Sequence, residues 1–148
     1  LKNTYESGQV EIQIESIKAW IEYAKGNDND AIRLMKQATD LESKTSKAAV
    51  TPGEIIPADE LLGDLYMKLN KPELALKTYE KNLKSRPYRF NGIYGAAKAA
   101  IELDNIELAR YYFKQLIKLS SDIKSLRPEI IEAKDFLSKN SVTIAGNV

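Results

Sequence analysis

The sequence predicts an all-α chain of stacked helix pairs closed by one last helix, and three observations lead there. A segment recurs at an offset of 34 residues, its apolar residues step by threes and fours, and a short polar turn returns at the same phase. Leu69-Asn70-Lys71-Pro72-Glu73-Leu74-Ala75 lies over Leu103-Asp104-Asn105-Ile106-Glu107-Leu108-Ala109. The match continues with Tyr79 over Phe113, Leu83 over Ile117 and Lys84 over Lys118, and upstream with Leu62-Gly63 over Ala96-Ala97 and Tyr66 over Ala100. Self-similarity at this period is the mark of a solenoid, in which each unit buries its apolar side only against its neighbours.

Each unit reads as two amphipathic helices. Leu61, Leu62, Leu65, Tyr66 and Leu69 fall on one helical face. Asn70-Lys71 interrupts the pattern, and Pro72 suits a first helical turn, where its missing N–H is not needed. Leu74, Ala75, Tyr79 and Leu83 form the second stripe. Gly63, Ala97, Ala75 and Ala109 fall where helices approach closely, and Tyr79 and Phe113 are large enough to fill the space between pairs.

The elements follow in order within one domain, residues 1–139. A degenerate unit spans 12–45, with Ile17 to Gly26, a polar turn Asn27-Asp28-Asn29-Asp30, then Ala31, Met35 and Ala38. An insertion occupies 46–57, where Pro52, Gly53 and Pro57 forbid regular helix. Units follow at 56–89 and 90–122. A capping helix is expected over 127–139, opened by Pro128, with Ile130, Ile131, Ala133, Phe136 and Leu137 buried. Glu129, Glu132, Lys134, Asp135 and Lys139 supply the polar outer face that ends a solenoid. Residues 140–148 are expected to be a flexible tail.

The run Glu60-Leu61-Leu62-Gly63-Asp64-Leu65-Tyr66, then Ala75, Tyr79 and Pro87, resembles the tetratricopeptide-repeat signature. The next unit keeps Ala109 and Phe113 but has Ala97, Ala100 and Ser121 where the signature has Gly, an aromatic and Pro. With Thr51-Pro52-Gly53 and Pro57-Ala58 included, the region is similar to the C-terminal repeats of larger bacterial tetratricopeptide proteins, a likeness that names no activity. The resemblance implies a right-handed α-α superhelix of about three helix pairs plus the cap, whose first helices line a concave groove for a peptide or protein. On that basis Glu60, Asp64, Met67 and Lys68 of one unit, and Asn91, Tyr94, Lys98, Ile101 and Glu102 of the next, face the groove. The Lys, Asn and Arg that clamp a chaperone tail in some members have Leu61, Asn91 and Gly95 at the matching places, so that ligand is not expected.

Composition narrows the chemistry. The 148 residues include no histidine and no cysteine, which removes the usual proton carrier, the thiolate nucleophile and zinc-thiolate sites. No enzyme and no cofactor is expected. Charges of 22 basic and 21 acidic residues nearly cancel, giving no long-range pull toward nucleic acid. No apolar run reaches membrane-spanning length, and Leu1-Lys2-Asn3 starts like an excerpt or a processed chain, so the compartment stays open.

Four clusters admit both a chemical reading and a plainer one. Asp59, Glu60 and Asp64 could be an acid/base pair but fit better as a solvated or peptide-facing acidic edge. Asp28 and Asp30 look like the start of a calcium loop, yet Arg33 and Thr39 occupy its glycine and distal glutamate positions. Lys81, Lys84, Arg86 and Arg89 with Tyr88 and Phe90 could grip a nucleic-acid backbone, or simply end one helix and seat the next. Trp20 and Tyr23 fit inter-helix packing better than ligand stacking. The sequence thus predicts a module binding another protein, or a self-associating segment of a longer solenoid.

Overall fold

The computed structural model describes residues 4–44, 56–120 and 127–140. Among them are seven α-helices: α1 (Thr4–Ala24), α2 (Asp28–Lys44), α3 (Ala58–Lys68), α4 (Pro72–Ser85), α5 (Phe90–Glu102), α6 (Ile106–Leu119) and α7 (Pro128–Lys139). They pair as α1/α2, α3/α4 and α5/α6, with α7 alone at the end. Helix α1 starts at Thr4, ahead of the unit boundary expected at residue 12. Residue 45, most of the insertion (46–55) and residues 141–148 of the tail lie outside the described residues.

The three turns inside the pairs share one geometry. Gly26, Asn70 and Asp104 sit at φ of 81°, 52° and 54°, the left-handed conformation that lets a chain reverse out of a helix. The next residue then donates its N–H five residues back: Asn27 to Glu22, Lys71 to Tyr66 and Asn105 to Ala100. The second helix starts at once. Pro72 opens α4, and the Asn105 side chain caps α6 by accepting from the Leu108 N–H at 3.1 Å.

Small residues at the helix crossings set how close the pairs come. Tyr79 of α4 is almost fully buried between α3 and α5. A Cβ at Gly63 would lie 2.5 Å from the Tyr79 ring, and one at Gly95 would come closer still. Ala75, Ala97, Ala99 and Ala109 are likewise fully enclosed. The core therefore runs continuously from Ala19 and Met35 through Leu65 and Tyr79 to Phe113 and Ala133.

Each second helix packs on the first helix of the next pair. The first helices also touch one another, α1 with α3 and α3 with α5, whereas the second helices stay farther apart. The array therefore curves toward its first helices. Those helices make its concave side.

Candidate partner-binding surface

The nine residues expected to face a groove fall in three different situations. Glu60 is not on the surface. It is wholly buried, with Arg89 Nε at 3.1 Å from Oε2 and Arg89 Nη2 at 3.2 Å from Oε1. Residue Arg89 enters from the junction before α5 and turns a position expected to face a partner into an internal charge pair. The acidic edge is likewise dismantled: Asp59 bonds Lys81 at 2.9 Å, and Asp64 accepts from the Tyr79 hydroxyl at 2.6 Å. Burial, reinforced by nearby Glu60, raises the Asp64 carboxyl above its ordinary range despite that bond.

Tyr94 and Lys98 are tied to the last helix. The Tyr94 hydroxyl donates to Glu132 Oε2 at 2.5 Å, and Lys98 Nζ donates to Glu132 Oε1 at 2.7 Å. Burial alone would raise the Glu132 carboxyl, but the two donors outweigh it and hold it below the usual glutamate range. Burial and the same carboxylate push the Tyr94 hydroxyl up. Glu132, expected on the polar outer face of the cap, points inward instead. Ile131, expected inside, is 56% exposed. The physical reason is a shift of helix phase: Ile130, Ala133 and Phe136 form the inner stripe, with the Phe136 ring tilted against Phe113 at a centroid distance of 5.1 Å, and Ile131 is carried away from it.

The remaining residues face solvent or sit half-open. Lys68, Asn91 and Glu102 are exposed, while Met67 and Ile101 are half-buried against the core. Met67 and Glu102 come together with Asn70 and Pro72 around a shallow depression of about 280 Å³. Adjacent first helices thus present apolar side chains flanked by opposite charges. Such a surface takes a partner through a few apolar anchors, with charges setting orientation.

Three of the four basic residues before α5 are committed to carboxylates. Arg86 bonds Glu42, Arg89 bonds Glu60 and Lys81 bonds Asp59, while Phe90 lies under the Arg127 guanidinium at 3.9 Å. Trp20 and Tyr23 meet edge to face at 5.8 Å. Asp30 pairs with Arg33 in the first turn of α2, and among the described residues no acidic group has the makings of a metal site. No described helix is long and apolar enough to cross a membrane.

Residues 60–88, from Glu60 of α3 past the end of α4, match the family model of the tetratricopeptide repeat. The chain carries a tetratricopeptide repeat. Its fold agrees with a solved crystal structure of a tpr-like protein from Chlorobium tepidum TLS, at a TM-score of 0.61 and 16% identity, covering 91% of this chain and 97% of that one. A comparison with curated proteins finds no match. The fold is thus an all-α tetratricopeptide-type solenoid. Proteins built this way generally mediate protein interactions and as a rule are not enzymes.

Proposed function

We propose that this chain is a non-enzymatic module that seats a peptide or folded protein on the concave side formed by α3, α5 and α7. The observation that carries the reading is the pairing of half-open apolar residues, Met67 and Ile101, with exposed Lys68, Asn91 and Glu102 on neighbouring first helices. Asp64, Tyr94 and Lys98 form the floor rather than the contact surface, because each is engaged with another helix. Buried groups with displaced proton affinities serve the same internal ties: Tyr79 with Asp64, Tyr94 with Glu132 and Tyr112 with Glu80. That use fits holding helices together rather than presenting these groups to a substrate.

Photocrosslinking in living cells tests this. A benzophenone side chain at Lys68 or Glu102 is expected to capture a defined protein, and one at Lys77 on the opposite side of the array is not. Reversing both charges, Lys68→Glu with Glu102→Lys, should weaken that capture by about tenfold. Equal capture from Lys77, or capture indifferent to the reversal, would remove the concave side as the binding surface.

A further inference from the structure

Helix α1 is apolar on two opposite sides. One side is used: Ile12, Ser16 and Ala19 are buried, Ile12 beside Ala38 and Ala58, and Ala19 in the main core. The other stands open. Val10, Ile14, Ile17 and Ile21 are between 45% and 59% exposed, at successive steps of four, three and four residues. On a helix this spacing makes a single straight seam.

The repeat identifies what such a seam receives. The left-handed turn residues Gly26, Asn70 and Asp104 are 44 and then 34 residues apart. The same offsets place Ile14 with Ala58 and Gly92, Ile17 with Leu61 and Gly95, and Ile21 with Leu65 and Ala99. In α5 these are the positions on which the preceding second helix rests. A Cβ at Gly92 would lie 3.2 Å from Asn82 Nδ2, and Gly95 meets Tyr79. Ala58, Leu65 and Ala99 are buried too. The open seam of α1 therefore consists of helix-receiving positions. Its residues differ in kind, however. Gly95 is small where the Tyr79 ring wedges in and Gly92 where Asn82 and Leu83 press close, whereas three isoleucines and a valine leave no room for a wedge and match another aliphatic seam.

We propose that a second copy of this chain covers the seam, with α1 running antiparallel to its counterpart about a two-fold axis. Charge selects the direction. On an antiparallel pair, Glu11 of each copy shares a flank with Lys18 of the other, giving two oppositely charged contacts by symmetry. A parallel pair sets Lys18 against Gln13 and Lys25 against Trp20, with no ion pair. Lys18 now bonds Glu15 at 2.8 Å with its side chain 55% exposed, a surface contact that is readily exchanged. Beside the seam, Ile17 and Trp20 continue into an apolar groove of about 380 Å³ with Ile56 and Leu61, which widens the surface available to the partner copy.

Sedimentation velocity of the whole 148-residue chain, from about 1 µM to about 500 µM, reads the outcome directly. A reversible rise from 16.6 kDa to twice that mass is expected. Ile17→Glu, at an already exposed site, should raise the dissociation constant by at least about tenfold with unchanged helical circular dichroism. Glu11→Lys should weaken the dimer, and Glu11→Lys with Lys18→Glu should restore it. A monomer at every concentration overturns the proposal. A dimer untouched by Ile17→Glu overturns it as well, and failure of the double charge swap to restore association overturns the antiparallel arrangement. The concave-side variants at Lys68 and Glu102 leave this dimer intact, so the two readings fail separately.

Discussion

At the scale of single residues, Tyr79 governs how the middle of the array is assembled. Its ring fills the space left by Gly63 on one side and Gly95 on the other, and its hydroxyl reaches Asp64. A methyl group at Gly95 collides with an aromatic ring that has no second place to go. Gly95→Ala should therefore destabilise by about 1–3 kcal/mol, read from urea denaturation midpoints at constant slope. Asp64 makes a pH prediction of definite sign. Burial raises its carboxyl above the ordinary aspartate value of 3.8, so the folded chain binds more protons than the unfolded one just above that pH. Its contribution to stability is present below the unfolded value and is lost as pH rises through the folded one. Asp64→Asn keeps an oxygen for the Tyr79 hydroxyl and removes the charge. Unfolding free energies measured between pH 4 and pH 7 should fall less steeply with rising pH in the variant. The close approach at Gly63 was legible from its match to the small residue Ala97. That at Gly95 was not, because the equivalent residue one unit earlier is Leu61 and periodicity carries no record of where a neighbouring ring will lie.

At the scale of helices, the apolar repeat brings the elements together and long-range carboxylate contacts fix their phase. The first was readable in the steps of three and four residues. The second was not. Glu60 and Arg89 are 29 residues apart, and Glu132 is 34 from Lys98 and 38 from Tyr94, distances over which no local spacing rule operates. That is why Glu60 read as a groove residue and Glu132 as an outer one. Arg89→Ala would leave the Glu60 carboxylate buried without its guanidinium and should cost about 3 kcal/mol, whereas Glu60→Gln should cost less because no charge is stranded. Equilibrium denaturation of the two variants side by side decides it, and equal losses would mean that packing rather than charge is at stake. Glu132 predicts how α7 behaves in acid. Its carboxyl lies below the ordinary glutamate value of 4.5, so the tie to α5 is fully present above that value and is lost as pH falls through the folded one. Hydrogen exchange should show α7 losing protection under acid before α3 to α6 do, and Glu132→Ala should produce the same loss at neutral pH.

For the whole molecule, the question is whether the first pair and the later ones unfold together. Solenoids divide their stability into units and the interfaces between them, so a break at one interface separates the parts. The interface between the first pair and the rest depends on Glu42, near the end of α2. Its buried carboxylate accepts the Ala58 N–H at the start of α3 and bonds Arg86 from the junction beyond α4. One side chain thus joins three elements across the insertion. No local pattern pointed to this, since Glu42 falls among polar residues at a helix end and its partners lie 16 and 44 residues away. Glu42→Ala removes the acceptor, strands a buried N–H and leaves Arg86 without this carboxylate, a combined loss of about 3 kcal/mol placed at a single interface. The effect should be uneven. Hydrogen exchange of α1 and α2 should accelerate about a hundredfold, equivalent to the 3 kcal/mol, while α5 and α6 change little. Denaturant unfolding followed by Trp20 fluorescence should then precede the loss of helical circular dichroism, where the parent chain loses both together. A single coincident transition in the variant would mean that the core running from Met35 to Leu65 couples the pairs without Glu42.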